Sequence, residues 1–256
     1  MGFIEQFKGS IIDWTFYREV AFQKTSKTIK YLLVLFSILF IITGIKSAIG
    51  LNSDLQQFIS DFKKKVPDFK LADGEFRFNA KQPYYLEGEN NSVLVVDTTG
   101  ATREDVLDKY SDGVFITKTK IYLKQQYQVR QINLKDYKEI TLTKDKVLAF
   151  LPSLKWLIII IGIVGYIVSL VGKLLSGVFL AMIGMFVNNA QKGPLQFGQA
   201  WNVGIYALTL PLLLEALVKL VYPQFPYFFL IYYAIAIFYV VKAVHWIIND
   251  TEIKVE

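Results

Sequence analysis

The sequence predicts an α-helical membrane protein with about four transmembrane helices and an inserted extracytoplasmic α+β domain. Three observations support this fold class: hydrophobic residues make up 53% of the chain against 20% charged ones, apolar runs long enough to cross a bilayer lie near both ends, and the middle of the chain is hydrophilic. The expected organisation is a cytoplasmic amphipathic segment at 1–30, a first transmembrane helix at 31–50, the extracytoplasmic domain at 51–150, and a C-terminal helical bundle with a short tail at 151–256.

Composition also limits the chemistry. The chain has no Cys and one His, which excludes a zinc site of Cys and His ligands, a Cys nucleophile and a structural disulfide. A Ser/His/Asp triad would depend on His245, which lies in an apolar run near the C-terminus. We therefore predict no catalytic residue, no metal, no cofactor and no enzymatic activity.

The formal net charge of +6 does not indicate a nucleic-acid surface. Residues 51–150 carry sixteen Lys and Arg against fifteen Asp and Glu, so most of the excess lies beside the apolar segments. A basic excess in that position favours contact with anionic membrane lipid, whereas a nucleic-acid binder would concentrate it on a folded soluble face.

The first element is an amphipathic helix. Apolar side chains recur near helical spacing between residues 3 and 14, which predicts an interfacial helix. Lys24, Lys27 and Lys30 stand just before the first apolar run and indicate a cytoplasmic N-terminus. That run, residues 31–49, reaches about 28 Å as a helix, which is one crossing. We interpret it as an uncleaved anchor rather than a signal peptide, because an unusually long aromatic segment precedes it.

Residues 51–150 predict a soluble α+β domain. A helix over 51–66 continues out of the membrane until Pro67 stops it. Strands follow at 69–71, 75–78, 84–86, 92–96, 113–117, 120–123 and 126–132, with turns at Asp73-Gly74 and at 87–91. Residues 102–110 predict an intervening helix with Thr102 as its cap.

The last hundred residues return to the membrane. Residues 154–187 form either one helix of roughly 50 Å or two short crossings with a turn at Gly172-Lys173. Later spans are predicted at 201–221 and 225–248. With four crossings, Lys192, Lys242 and Lys254 face the cytoplasm; five crossings would reverse several of these positions. Small residues four apart, Gly165 and Ser169, Gly172 and Ser176, and Gly177 and Ala181, predict helix–helix packing.

Glu215 and Lys219 are the first candidate site. Either charge alone costs roughly 2.5 to 3.5 kcal/mol near mid-membrane, but Glu four residues before Lys is the favourable helical order. Two readings stay open: a structural pair near a helix end, or a polar spot that binds a headgroup, an ion or a partner helix. Pro211, one turn earlier, predicts a kink. Lys173 is expected at the inner membrane boundary, where an unpaired amine is tolerable and needs no function.

The soluble domain holds the remaining candidates. The stretch Val95-Val96-Asp97-Thr98-Thr99-Gly100 resembles an aspartic-protease loop, but an extra Thr intervenes and no second copy exists, so an Asx-turn after a strand is favoured. Aromatic residues suit a carbohydrate platform or a hydrophobic core, and core packing is the simpler interpretation. They are Tyr84, Tyr85, Tyr110, Phe115, Tyr122 and Tyr127.

The chain resembles an uncharacterised membrane-protein family of Gram-positive bacteria, some members of which carry the name maltodextrin utilization protein. The resemblance covers nearly the whole chain and lies in Val66-Pro67-Asp68-Phe69, Gln82-Pro83-Tyr84, Val95 to Gly100, Tyr110 to Tyr122 and Tyr206 to Pro211. The last stretch, with Gln191-Lys192-Gly193, also looks like the Yip-type proteins of membrane trafficking, although the soluble insert departs from their pattern. The first resemblance implies an accessory role near a sugar transporter.

Two functional hypotheses follow. In the first, the protein is a membrane-anchored accessory or sensing protein whose extracytoplasmic domain binds a protein partner or small ligand. In the alternative, it is a small carrier or lipid-handling protein that uses Glu215, Lys219 and the Pro211 kink around a bundle cavity. Expected partners are membrane lipid, a membrane protein such as a transporter, and further copies of the chain. The expected location is the cell membrane, with several crossings.

Overall fold

The structure is a computed structural model that describes residues 1–252 apart from Glu89, Tyr127 and Gln224. The chain divides into two compact units. The helical unit comprises Met1–Leu51 and Ile158–Glu256, and the sheet unit comprises Asn52–Leu157.

The helices begin with two short ones, α1 (Phe3–Ile12) and α2 (Trp14–Ala21), followed by the long α3 (Thr25–Lys65). After the strands come α4 (Lys144–Phe150), α5 (Leu154–Ala190), α6 (Phe197–Ala207), α7 (Thr209–Val221) and α8 (Phe228–Glu252). Within the described residues, four helical stretches are long and apolar enough to cross a membrane: Thr25–Lys65, Lys144–Ala190, Phe197–Val221 and Phe228–Asn249. The prediction of four such segments is confirmed.

Two of the predicted membrane spans differ from the helices in the structure. Helix α5 is continuous for 37 residues, so the alternative turn at Gly172-Lys173 is wrong and the single long helix is right. The span predicted at 201–221 is two helices, because the α-helical hydrogen-bond pattern is interrupted at Leu208, three residues before Pro211, where the Leu208 N–H donates to the Ile205 carbonyl. Proline lacks the N–H that would bond back to the carbonyl four residues earlier, so a break close to Pro211 is expected.

The helix predicted over 3–14 corresponds to α1 (Phe3–Ile12), and a second helix that was not predicted, α2, follows it. Asp13 adopts an extended backbone between them, and its Oδ1 accepts hydrogen bonds from the Thr15 N–H at 2.9 Å and the Thr15 hydroxyl at 2.7 Å. An Asp side chain in this position caps the following helix. Phe16, Tyr17 and Val20 of α2 are buried, so the apolar face of α2 packs into the protein.

The core of the helical unit joins the N-terminal helices to the C-terminal ones. The Tyr31 and Tyr206 rings stack with centroids 4.4 Å apart, and the Tyr31 hydroxyl lies 2.8 Å from the Thr209 hydroxyl. Asn202 donates from Nδ2 to the carbonyls of Ala21 at 3.2 Å and Gln23 at 3.0 Å. The first bond satisfies the carbonyl of the last residue of α2, which lacks a partner within its helix, and the second holds the loop that follows.

Close helix packing occurs at Gly177, where a Cβ would lie 2.4 Å from the Cδ1 of Ile205 on α6. Ala181, one turn later, is also fully buried. The small-residue prediction therefore holds for this pair. It is wrong for Gly165, because a Cβ added there meets no heavy atom of the described residues within 4 Å apart from the nearby backbone of its own helix. Gly172 is equally open, but its predicted partner Ser176 is buried and its hydroxyl lies 2.8 Å from that of Tyr233 on α8.

The sheet unit contains two sheets. The five-stranded one has the order β3 (Tyr84–Glu87), β4 (Ser92–Val96), β5 (Asp112–Ile116), β6 (Lys120–Gln125), β7 (Gln128–Asn133), and only the β4–β5 pair is parallel among these strands. The three-stranded one has the order β2 (Glu75–Phe78), β1 (Phe69–Ala72), β8 (Leu142–Thr143). Seven of these strands were predicted, and β8 was not.

Three local predictions in the sheet unit are tested by backbone geometry. The turn between β1 and β2 is confirmed, because Asp73 (φ 53°) and Gly74 (φ 74°) both adopt the left-handed conformation that a tight hairpin requires. The strand predicted over 126–132 begins later, because Gln126 (φ 52°) occupies the turn. The helix predicted over 102–110 is a 3₁₀ helix over Glu104–Lys109, and its N-cap is Arg103 rather than Thr102.

Side chains alternate across the five-stranded sheet. Val93 and Val95 of β4 pack with Phe115 and Leu107 in one apolar cluster, whereas Val96 packs with Phe76 and Leu134 in another. This alternation follows from the two-residue repeat of a β-strand. Both faces are therefore covered by apolar residues of the same unit.

Candidate functional site

A cluster of three charged side chains lies inside the helical unit. The two carboxylate oxygens of Glu215 on α7 each bind one ammonium group: Oε1 is 2.7 Å from the Nζ of Lys219, and Oε2 is 2.8 Å from the Nζ of Lys173 on α5. The side chains of Lys173 and Glu215 are 17% and 21% exposed, whereas that of Lys219 is 55% exposed. Two of the three charges are therefore largely shielded by the protein.

The surroundings of Lys173 are aromatic. Its Nζ lies 4.2 Å from the ring centroid of Tyr232, within the range of a cation–π interaction. The hydroxyl of Tyr232 is buried and has no hydrogen-bond partner among the described residues. Nearby, the Ser176 and Tyr233 hydroxyls share a hydrogen bond of 2.8 Å. Polar groups that can accept or donate hydrogen bonds thus gather on one side of the ion pair.

The charged cluster forms part of the lining of a large groove. This groove has a volume of about 1120 Å³ and is bounded by parts of α3, α5 and α7. Apolar side chains such as Phe40, Ile159 and Leu212 line most of it. A second cavity of about 300 Å³ shares the same three charged residues and is otherwise lined largely by aromatic side chains of the segment around α8.

A fourth charged residue, Lys46, lies on α3 and also lines the groove. Its Nζ donates a hydrogen bond to the carbonyl oxygen of Leu220, next to the last residue of α7. A cation at the C-terminal end of a helix is favourable, because the carbonyl groups there carry partial negative charge. The groove therefore brings together three lysines and one glutamate.

Pro211 is also part of this region. It is buried on α7, one helical turn before Glu215. The predicted trio of Glu215, Lys219 and Pro211 thus lies on one helix, with the first two in direct contact. Among the described residues, no group of three His, Cys, Asp or Glu side chains could hold a metal ion.

Asp97 is in the sheet unit, where its carboxylate is fully buried after β4. Its Oδ1 accepts from the Thr99 N–H at 2.8 Å and from the Thr99 hydroxyl, and its Oδ2 accepts from the Thr102 N–H at 2.7 Å. The predicted Asx-turn is confirmed. Burial alone would raise the pKa of Asp97, but hydrogen bonds from Thr99 and Thr102 favour the charged form more strongly and hold this pKa at about 2.

Tyr84 and Tyr85 neighbour this loop on β3. Tyr84 pairs with Val96 across the ladder, its ring lies 5.3 Å from that of Phe78, and its hydroxyl donates to the Lys65 carbonyl at 2.7 Å. Tyr85 points the other way and is 45% exposed.

Most of the remaining predicted aromatic residues lie in the core of the sheet unit. Phe115 and Tyr122 are buried, with ring centroids 5.8 Å apart, and Tyr110 packs against the same cluster. Tyr127 lies outside the described residues. Most of these rings therefore serve core packing.

The sequence analysis missed the role of Lys173 and did not single out Lys46. Lys173 was expected to be unpaired, whereas it is the shielded partner of Glu215. One signal was available: an amine inside an apolar helix needs a counter-ion, and Glu215 is the acidic residue within the later apolar runs. The 42 residues between them gave no means of knowing that the two helix faces meet.

The family model described as Protein of unknown function (DUF1189) matches residues 4–244. The chain belongs to the DUF1189 family. The matched residues belong to both units, so the family model covers both the groove and the sheet unit of this DUF1189 protein. Comparisons with curated proteins and with solved structures gave no match.

Proposed function

We propose that this DUF1189 protein is a lipid-handling or small carrier protein of the cell membrane, and that its helical unit holds an amphipathic ligand in the groove. One observation carries the proposal: a mostly apolar groove of about 1120 Å³ contains a compact charged cluster. Ligand sites are typically apolar cavities with a few polar groups that fix orientation. An amphiphile matches this division, because its chain suits the apolar walls and its polar end suits the lysines and Glu215.

A membrane location supports the proposal. The walls of the groove belong to helices that are long and apolar enough to cross a bilayer. Lys24 lies just before the first of these helices, and Lys27 and Lys30 lie in its first two turns, ahead of the apolar run. We therefore propose a cytoplasmic N-terminus and an extracytoplasmic sheet unit. In this arrangement lipid would be the solvent around the helices and the most concentrated amphiphile available to the groove.

An accessory or sensing role is the second candidate. The observation that favours it is the division into two units, one of them a hydrophilic sheet unit with an exposed Tyr85. A partner such as a transporter would bind the sheet unit, and the maltodextrin-related names among resembling proteins support a place near sugar uptake. The resemblance to Yip-type proteins supports only a related helical bundle. A stable complex with a transporter after mild solubilisation would favour this candidate.

Two glycines of α5 provide a matched test of the groove. Gly162 lines the groove and Gly165 does not, and a Cβ added at either position meets no heavy atom of the described residues within 4 Å. Gly162→Phe should therefore fill the groove, and Gly165→Phe should add the same ring elsewhere. The wild type, purified in mild detergent, should carry amphiphile detectable by native mass spectrometry and extraction.

We expect Gly162→Phe to lower the bound amphiphile severalfold and Gly165→Phe to leave it unchanged. Equal occupancy in both variants would show that bound molecules sit outside the groove. A wild-type protein without bound amphiphile, and without uptake of added lipid, would contradict the proposed function.

A further inference from the structure

We propose that the ligand of the groove is an anionic phospholipid whose headgroup phosphate binds Lys46, Lys173 and Lys219; this inference rests on the proposed function and specifies its ligand. The groove is lined by three lysines and one glutamate, which gives a net charge of +2 among its lining residues. A cationic ligand would meet net repulsion there, whereas an anionic one meets net attraction.

The arrangement of the amines suits a phosphate. In the structure, one carboxylate holds two ammonium groups on its two separate oxygens, at 2.7 and 2.8 Å. A phosphodiester has two non-bridging oxygens that share one negative charge, so it can also bridge two amines. Lys219 is more than half exposed and has a flexible stem, so it can turn from Glu215 toward a ligand without rearrangement of the helices.

Glu215 has a definite part in this inference. While the groove contains no phosphate, Glu215 neutralises Lys173 and so lowers the energetic cost of shielding this lysine from water. It also competes with an incoming anion for the same amines. Removing its charge should therefore strengthen anion binding, which is the opposite of what a site for a cation or for a headgroup amine requires.

The remaining lining favours a lipid over free phosphate. Most of the groove wall consists of apolar side chains, including Phe40, Ile159 and Leu212. The groove is larger than the roughly 300–1,000 Å³ of a typical small-molecule site, so it has room for acyl chains beside a headgroup. Inorganic phosphate would use only the polar end.

The experiment measures headgroup preference with the full-length protein. Delipidated protein in detergent is mixed with phosphatidylglycerol and phosphatidylcholine of identical acyl chains, and bound lipid is counted by native mass spectrometry. Glycerophosphoglycerol, which lacks acyl chains, and inorganic phosphate form two further arms. We expect phosphatidylglycerol to bind at least about tenfold better than phosphatidylcholine, because each lysine near an anionic headgroup contributes about fivefold.

Substitutions that remove one charge test whether the preference for phosphatidylglycerol changes in the expected direction. Lys219→Gln should lower the preference for phosphatidylglycerol about fivefold, whereas Lys242→Gln, an exposed lysine of α8 outside the groove lining, should leave it unchanged. Glu215→Gln should raise the preference. If Glu215→Gln does not fold, Lys173→Gln combined with Glu215→Gln keeps the net charge of +2 and should retain most of the preference.

Several results would overturn the inference, and they differ from failure of the proposed function. Equal binding of both lipids, abolished by Gly162→Phe, would leave an amphiphile groove without headgroup recognition. A preference for phosphatidylcholine that is lost in Glu215→Gln would identify recognition of a cationic group. Displacement of phosphatidylglycerol by an equal concentration of inorganic phosphate would identify a simple anion site. If neither lipid binds the wild type, the proposed function fails together with the inference.

Discussion

The ion-pair cluster leads to an asymmetric prediction for stability. Glu215 forms salt bridges with two lysines, Lys173 and Lys219. Among the described residues, Lys173 forms a salt bridge with one carboxylate, that of Glu215. Removing Lys173 leaves Glu215 neutralised by Lys219. Removing the charge of Glu215 leaves Lys173 shielded, at 17% exposure, and without a counter-ion in the described part of the chain. The two halves of the same salt bridge should therefore differ in their effect on the free energy of unfolding.

The magnitudes follow from burial. Lys173→Met deletes one charge-assisted bond and one cation–π contact, at a cost of about 1 kcal/mol, because the remaining pair is still formed at 2.7 Å. Glu215→Gln leaves an uncompensated, largely buried ammonium group, and the cost should be about 2–4 kcal/mol. For a chain of this size that is a fall of about 5–15 °C in Tm. The double variant should be more stable than Glu215→Gln alone.

Thermal unfolding in one detergent, followed by intrinsic tryptophan fluorescence, measures these differences. Lys242→Met is the matched control, since an exposed lysine away from such contacts should change stability by less than about 0.5 kcal/mol. Two results would refute the reasoning. One is Lys173→Met destabilising the protein as much as Glu215→Gln does. The other is the double variant being less stable than Glu215→Gln by the full cost of Lys173→Met, since additive costs would show no energetic coupling between the two side chains.

Three further predictions concern other parts of the chain. Asp97→Ala should cost about 1–3 kcal/mol, because it removes the acceptor for hydrogen bonds from Thr99 and Thr102. The pKa of Asp97 lies at about 2, below its ordinary 3.8, so the charged carboxylate stabilises the fold above pH 3.8 and this stabilisation is lost as the pH falls toward 2. Asp97→Asn should remove this part of the acid unfolding curve. An unchanged curve would contradict the assignment. Gly177→Leu should lower Tm by several degrees, because its Cβ would meet Ile205 at 2.4 Å, whereas Gly165→Leu should not; equal Tm values would argue against this packing. Protease added to intact protoplasts should cleave the sheet unit, and protection until lysis would reverse the proposed orientation.

Much of the fold could be predicted because its signals are local. The apolar runs follow from the length of chain needed to cross a bilayer, and the strand at 92–96 and the turn at Asp73-Gly74 follow from short-range preferences. The misplaced boundaries also have local causes. Gln126 adopts a left-handed turn that its residue type does not announce, and the Thr102 N–H binds Asp97 instead of starting a helix.

The sequence by itself determined the class of this protein: which segments are apolar enough for a membrane, which segment is a sheet unit, and that Glu215 and Lys219 share one helix face. Only the tertiary structure decided that Lys173 meets Glu215, that α2 is buried by the C-terminal helices, and that β4 and β5 run parallel. The physical reason is distance along the chain. Periodicity and turn preferences act over a few residues, whereas these contacts join positions up to about two hundred residues apart and depend on how whole helix faces fit together.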